Sequence, residues 1–315
     1  MVKIESPRII VRRSGPLSGS VQVPGAKNSV LKLMAATLLA EGDYVLTNVP
    51  AITDVHTMAE TLGALGVSST WLGPHELSLT NSGNITPEVP FEKFDKMRAS
   101  LNVLGPLLTH YGSARINWPG GDDFGGRPIN LHVAGLQKMG ATVEEGLYDI
   151  FAVADRLKGT NIELDIPSVG ATENLLTAAI YARGVTVIDN AAREPEVQDL
   201  CNMLIAMGAD IEGIGTSRLI IHGCERGSLK STKHAVVPDR VQAATYIAAV
   251  GMCGGSIRVQ RANASHMGMM LTRFTDMGMH FAIDDDGITA TAPEQLTAVN
   301  VSTLPYPGVA TDYKP

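Results

Sequence analysis

The strongest constraint in this chain is an internal repeat, visible in two motifs that each recur four times at nearly even spacing. An apolar pattern with helical spacing, closed by a small-residue turn, recurs as LGALGV (residues 62–67), LQKMGATV (136–143), LIAMGADI (204–211) and FTDMGMHF (274–281). The shared glycines are Gly66, Gly140, Gly208 and Gly278, at intervals of 74, 68 and 70. Each reads as a glycine that stops a helix and leads into a strand. One such glycine is commonplace; four at even spacing describe a repeated unit.

A second motif repeats in step with the first. Helices rich in alanine, leucine and other small residues begin at Lys27 (KNSVLKLMAATLLAEG), Arg98 (RASLNVLGPLLTHYG), Gly170 (GATENLLTAAIYARG) and Asp239 (DRVQAATYIAAVGMCGG), at intervals of 71, 72 and 69. They carry few charges over several turns, which predicts burial on most sides. Runs rich in β-branched residues, such as DYVLTNV, GVTVIDN and GSIRVQRA, fall between the two helix types. Each unit therefore reads as helix, strand, helix, strand, strand, with right-handed crossovers where strands run parallel. The period brings a fifth start near position 310, at PGVATDYKP, where Asp312 takes the place that Asp239 holds one period earlier. The 315-residue sequence then ends.

Composition narrows the class. Hydrophobic residues make up 44% of the chain and charged residues 18%, which excludes a disordered polymer and leaves room for roughly two domains with cores of their own. Aromatics are only 5% against 32 glycines, so the core relies on aliphatic and small side chains in close contact. The formal net charge of −7 speaks against a nucleic-acid partner. Cys201, Cys224 and Cys253 are odd in number and far apart, which gives neither a disulfide framework nor a metal-ligand spacing and fits a reducing compartment, the cytoplasm. The opening MVKIESPRIIVRRSGP lacks the apolar core of a secretory signal. The longest uncharged stretch, residues 241–257, contains Gln, Thr, Ser and three Gly, and reads as a buried helix and its exit, not a membrane span.

Several places carry candidate chemistry. A helix N-terminus bears partial positive charge, so a cation there costs roughly a few tenths of a kcal/mol or more. Yet Lys27 in PGAKN and Arg98 in KMRAS both open helices. They point either to solvent or to an anion bound between side chain and helix end. The loop WPGGDDFGGRP, residues 118–128, holds four glycines and two prolines and is either a solvated turn or a functional lid. Its charges are Asp122, Asp123 and Arg127, with no third acid at a spacing that would make a metal site. Asp239 in VPDR, Asp312 in ATDYK, Glu194 in AAREPEV and Ser168 in PSVGAT read first as helix caps. His132 in INLHVAG reads as a satisfied core histidine.

In their order, PGAKN, KMRASLNVLGPL, PGGxxxGxRPxxLHxxGL, PSVGAT, NAAREPE and VPDR resemble the UDP-N-acetylglucosamine 1-carboxyvinyltransferases, a family of enolpyruvyl transferases, over residues 8–315. The related shikimate-pathway transferase shares the repeated fold but not NAAREPE or the RPxxLH loop exit. The resemblance implies an α/β fold, an inside-out α/β barrel of repeated βαβαββ units, in two similar domains whose helix N-termini face the cleft between them. Residues 27–236 would form the first domain. Residues 1–26 with 237–315 would form the second, incomplete one, because the family carries about two more units.

The resemblance also implies the chemistry. The enolpyruvyl group of phosphoenolpyruvate passes to the 3′-hydroxyl of UDP-N-acetylglucosamine by addition and elimination, with release of phosphate, at the opening of peptidoglycan synthesis. Phosphoenolpyruvate would be held by Lys27, Asn28 and Arg127. UDP-N-acetylglucosamine would be held by Arg98, Arg127, Pro128, Ile129, Asn130, Leu131, Ser168, Val169, Gly170 and Asp312. Asp312 would assist the sugar hydroxyl as a base, Asp122 would protonate the methylene carbon, and Lys27 completes the implied catalytic set. The implied partners are two small molecules; no redox cofactor, metal, nucleic acid or membrane span is implied.

Many members of that family carry a cysteine where this chain has Asp122. A carboxyl group serves as proton donor when desolvation and nearby charge raise its pKa toward the working pH. It cannot form the stable thioether by which an epoxide antibiotic such as fosfomycin inactivates the cysteine form. Intact-mass spectrometry is therefore expected to show no fosfomycin adduct on this chain, and Asp122→Cys is expected to gain one. A time-dependent adduct on the native chain would refute this assignment.

Overall fold

The computed structural model describes residues 9–12, 15–88, 98–118 and 129–309, with backbone alone for 98–100. From the N-terminus the elements are β1 (Leu17–Gln22), α1 (Lys27–Ala36) prolonged by a 3-10 turn (Thr37–Leu39), β2 (Gly42–Thr47), α2 (Thr53–Leu65), β3 (Val67–Gly73) and β4 (Glu76–Asn81). A 3-10 segment (Arg98–Val103) leads into α3 (Leu104–Tyr111), then β5 (Ser113–Asn117), α4 (Asn130–Lys138), β6 (Thr142–Glu145) and β7 (Asp149–Val153). Next come β8 (Asn161–Glu163), α5 (Val169–Ala179), β9 (Val185–Asp189), α6 (Pro195–Met207), β10 (Asp210–Glu212), β11 (Arg218–His222) and β12 (Lys233–Ala235). The last run is α7 (Arg240–Cys253), β13 (Gly255–Gln260), a 3-10 turn (Ala264–Met267), α8 (Gly268–Asp276), β14 (His280–Asp284) and β15 (Gly287–Thr291).

The period is more even in the structure than in the motifs. The first helical residues of the repeats, Lys27, Arg98, Val169 and Arg240, are equally spaced along the chain. Gly66, Gly140, Gly208 and Gly278 close the second helix of each repeat with φ of 115°, 91°, 112° and 98°. That left-handed backbone is where a Cβ is strained and where a helix exchanges its last carbonyls for a turn.

The described residues form two compact units. One runs from Pro24 to Asp239 and takes in Ser302 onward; the other comprises the residues up to Val23 and Arg240–Val301. The larger unit has three sheets, ordered β12-β2-β4-β3, β8-β9-β11-β10 and β5-β7-β6. In the first two, the leading pair is parallel (β12 with β2, β8 with β9) and the rest antiparallel. In the third, β5, β7 and β6 pair antiparallel, and the parallel pairing of β5 among the described residues is a single bridge from Glu88 to Arg115. The smaller unit has one sheet, β1-β13-β15-β14, again led by a parallel pair.

The leading strands are exchanged along the chain. The strand before α1, β1, pairs with β13, while the strand before α7, β12, pairs with β2. The barrel that the resemblance implied is not closed: among the described residues the four sheets remain separate. In the larger unit the repeats meet through helices instead.

Those helices are α1, α3 and α5, the first helix of each repeat, which pack on one another directly or through the 3-10 segments that adjoin α1 and α3. Residues 29–36 of α1, 104–109 of α3 and all of 171–179 in α5 are buried. The packing leaves little spare volume. The Gly105 N–H donates to Asn174 Oδ1 at 2.7 Å. A Cβ on Gly105 would collide with the Asn174 main-chain oxygen and stand 2.6 Å from Thr177 Oγ1.

The buried C-terminal end of α1 needs partners for its carbonyls. Tyrosines supply them: Tyr44 Oη donates to Ala40 O at 2.8 Å, Tyr181 Oη to Leu39 O at 2.5 Å and Tyr111 Oη to Leu38 O at 3.4 Å. Burial pushes the Tyr44 and Tyr181 hydroxyls well above their usual pKa, so they stay donors.

The fourth helix of this type departs from expectation. α7, in the stretch expected to be buried on most sides, buries only Ala243, Ile247 and Val250, while Met252 is 83% exposed. Its unit contains one described repeat, so α7 has no equivalent helices beside it of the kind that enclose α1, α3 and α5. Gly105→Ala should destabilise the larger unit by about 1–3 kcal/mol through overpacking of α3 on α5, read as a lower midpoint in urea; an unchanged midpoint would show that this approach is not tight.

Candidate active site

The described candidate residues gather at one kind of place, the N-terminal ends of helices in the larger unit. Lys27 and Asn28 are the first two residues of α1 and are exposed. Ile129 precedes α4 at its N-cap and is buried, while Asn130 and Leu131 begin the helix. Ser168 is the N-cap of α5, and Val169 and Gly170 are its first residues. Arg98 opens the 3-10 segment before α3. In α1 and α5, accessible first residues give way within one turn to fully buried ones.

The helix ends are held near one another by contacts just inside them. The 3-10 segment after Arg98 packs on both α1 and α5, and α4 packs on α5. His132, in the first turn of α4, shares a hydrogen bond with Asn174 at 3.0 Å, and its ring would stand 3.4 Å from a Cβ on Gly170. It is a buried histidine bonded within the core. Ser168 acts as a cap: its Oγ accepts from the Ala171 N–H at 3.3 Å. Glu194 occupies the N-cap position of α6 but makes no side-chain cap hydrogen bond.

The cation at the start of α1 is compensated by acids. Lys27 Nζ pairs with Asp54 Oδ2 at 2.5 Å, with the lysine side chain half exposed. Asp239, just before α7, also meets the start of α1: its Oδ2 accepts from the Lys27 main-chain N–H at 3.4 Å. These two carboxylates offset the unfavourable placement of a lysine at a helix start. An anionic ligand at Lys27 would compete with Asp54 for the ammonium.

Behind the exposed residues lies a buried polar cluster. Lys32 Nζ donates to Asn28 O at 2.5 Å and stands 3.5 Å from Glu173 Oε2. Asn102 Nδ2 donates to the same Glu173 oxygen at 3.3 Å. Glu173 is fully buried, and its Oε1 has no hydrogen-bond partner among the described residues. Burial raises its pKa to about 7, with the neighbouring Glu196 adding to the rise and Lys32 and Asn102 opposing it. Burial, with Glu173 nearby, also pushes the Cys201 thiol up to about 12, so it is not a nucleophile. A second cluster ties down the first turn of α1 at Ser29: Asp199 accepts from Ser29 Oγ at 2.5 Å, His234 Nε2 at 2.7 Å and the Val237 N–H at 3.1 Å.

Asp54, Lys32, Glu173 and Asn102 were not among the sequence candidates. Lys32 had a signal, a lone charge within the apolar run KNSVLKLMAATLLA. Glu173 had the same kind of signal, a lone charge in GATENLLTAAIYA, whereas Asp54 had none, since an acid in a first turn is ordinary. Asp122, Arg127, Pro128 and Asp312 lie outside the described residues, as does the side chain of Arg98. Among the described residues no group of three or more His, Cys, Asp or Glu side chains is arranged to hold a metal ion, and no helix is long and apolar enough to cross a membrane.

Helix starts bearing Lys27 and Asn28 suit a ligand rich in anionic oxygens. Comparison with known proteins agrees with that chemistry. Residues 11–314 match the family model of EPSP synthase (3-phosphoshikimate 1-carboxyvinyltransferase). A UDP-N-acetylglucosamine 1-carboxyvinyltransferase of Nocardia farcinica is 48% identical over 317 residues, covering 98% of this chain and 74% of that protein. The protein of the same name from Mycolicibacterium paratuberculosis is 46% identical over 310 residues, covering 98% of this chain and 73% of its own. Among solved structures, the enolpyruvyl transferase NikO from Streptomyces tendae matches with a TM-score of 0.83 at 24% identity, over 95% of this chain and 71% of that one. EPSP synthase from Acinetobacter baumannii matches at 0.71 and 17% identity, over 88% and 65%. The two structures show a common fold, and the identity to the two sequences is far higher: the chain belongs to the enolpyruvyl transferase family, among the UDP-N-acetylglucosamine 1-carboxyvinyltransferases.

Proposed function

We propose that the chain transfers the enolpyruvyl group of phosphoenolpyruvate to the 3′-hydroxyl of UDP-N-acetylglucosamine and releases phosphate, the first committed step of peptidoglycan synthesis. The observation that carries this reading is the 46–48% identity to proteins of that name over 98% of the chain. The compartment it assigns is the cytoplasm, in keeping with three unpaired cysteines.

The residues fit the steps. Phosphoenolpyruvate brings a phosphate and a carboxylate, and Lys27 and Asn28 at the start of α1, with Arg127, are the groups to hold them. As phosphate approaches, the Lys27 ammonium turns from Asp54 to the substrate, and the helix dipole adds to the attraction. Arg98, residues 128–131 and Ser168–Gly170 hold the nucleotide sugar through side chains and first-turn N–H groups. Asp312 assists the 3′-hydroxyl, whose oxygen attacks the enol carbon while Asp122 delivers a proton to the methylene. Loss of phosphate and of a proton from the resulting methyl restores the double bond.

The family model's own description names a phosphoshikimate acceptor, so the acceptor is the point to test. Phosphate release from phosphoenolpyruvate should require UDP-N-acetylglucosamine and should not occur with shikimate 3-phosphate. The reverse preference would move the chain to the other acceptor, and binding of both substrates without release would make it a non-catalytic nucleotide-sugar-binding protein. Lys27→Ala should lower kcat/KM by roughly 100-fold or more, as expected for removal of a charged donor from the reacting phosphate. Full activity in that variant would remove Lys27 from the site.

A further inference from the structure

We infer that Glu173, acting through Lys32, is a positioning residue that sets the first turn of α1 and so the placement of Lys27 and Asn28. The inference rests on the proposed role of those two residues as phosphoenolpyruvate ligands, and it assigns a task to a buried ion pair that the proposed chemistry does not use.

The contacts run in one line. Asn102 donates to Glu173 at 3.3 Å, Glu173 faces Lys32 at 3.5 Å, and Lys32 donates to the main-chain oxygen of Asn28 at 2.5 Å. This line joins the starting turns of three helical segments whose first residues are the proposed ligands. The N-cap residue of α1 is Ala26, which makes no side-chain cap hydrogen bond. Its first turn is held from outside instead, by Asp239 on the Lys27 N–H and Asp199 on Ser29 Oγ. Lys32 adds a hold from one turn inside, on the carbonyl of Asn28.

Packing alone does not call for ions here. Leu31, Asn102 and Glu173 stand at equivalent places in three successive repeats, and Leu31 is buried without difficulty. An aliphatic side chain is thus compatible with this position of the repeat. A buried ion pair is often no more stabilising than hydrophobic residues of the same volume, whereas removing one partner alone is costly. What a lysine and a carboxylate add over leucines is direction. Glu173 holds the ammonium at one oxygen, and the ammonium holds Asn28. The charged groups that act on Glu173 are Lys32 on α1 and Glu196 on α6, and Lys32 is the cation that opposes the rise caused by burial.

The test uses the full chain with Lys32→Met and Glu173→Gln combined, which leaves no uncompensated buried charge. Three quantities are measured: the melting temperature, the separate dissociation constants of phosphoenolpyruvate and UDP-N-acetylglucosamine by calorimetry, and deuterium uptake in the peptide covering residues 24–33. The double variant is expected to melt no lower than the native chain and to take up deuterium faster in that peptide. It should bind phosphoenolpyruvate about tenfold more weakly, in line with the cost of a small misplacement of binding groups, while UDP-N-acetylglucosamine affinity stays within about twofold. A general loss of packing would weaken both ligands together and lower the melting temperature, and that outcome overturns the inference. Unchanged phosphoenolpyruvate affinity with unchanged uptake overturns it as well. Faster uptake in a protein whose native form does not bind phosphoenolpyruvate removes the substrate reading and leaves the positioning of α1 standing. Should the double variant fail to fold, Glu173→Gln alone, which keeps an acceptor for Asn102, is read by deuterium uptake and the two dissociation constants; its melting temperature is expected to fall, because Lys32 loses its counter-charge, and equal weakening of both ligands overturns the inference.

Discussion

The mutual burial of α1, α3 and α5 is the constraint on which the rest of the larger unit depends. Helices enclosed on every side cannot carry large or charged surfaces along their length. Their middles are accordingly mostly small or aliphatic, with Asn174 and Thr177 of α5 hydrogen-bonded inside, and the close approach of α3 to α5 runs through Gly105. Further polar groups lie toward the two ends of α1. At the C-terminal end of α1, three tyrosine hydroxyls meet its last carbonyls. At the N-terminal end lie Lys32, Asn102 and Glu173, and beyond them the exposed first residues.

This division places the proposed ligands at helix starts. The rigid part of each helix is buried, and one turn of it is presented. Helix starts offer N–H donors and partial positive charge without any side chain, which suits phosphate and carboxylate groups. It also raises a problem, because a lysine at such a start is unfavourable when no anion is bound. The structure answers with Asp54 on the Lys27 side chain and Asp239 on its main-chain N–H. Both are acids that a bound anion would have to work against. On the proposed assignment, affinity here is a difference between the attraction of the substrate and that of Asp54.

Much of this architecture was legible before any coordinates. The glycine stops and the small-residue helices gave the repeat, and the first helical residues fall at equal spacing in the fold. Motifs at repeat starts drew attention to Lys27, Asn28 and Ser168–Gly170, and the fold puts all of them at helix starts. Asp54 drew none, because an acid in a first turn has an ordinary local explanation, and nothing local reveals which distant lysine Asp54 or Glu173 meets. The contact of Asp239 with α1 was illegible for the same reason: its neighbour in sequence is α7, while the N–H it accepts from belongs to α1. The burial of α7 was overestimated because an uncharged helix states what it can bury, not whether equivalent helices stand beside it.

The amino-acid sequence by itself determined the repeat, the order of elements within it and the places where helices start and stop. These follow from local rules: apolar periodicity, backbone freedom at glycine, and charge at helix ends. Only the tertiary structure decided that β1 joins β13 while β12 joins β2, that the sheets stay separate, and that Lys32, Asn102 and Glu173 converge behind Asn28. Near-identical repeats offer near-identical strands, so alternation along one strand says which face is buried but not which strand lies beside it. Side chains one or two repeats apart meet only when the helices that carry them are packed together.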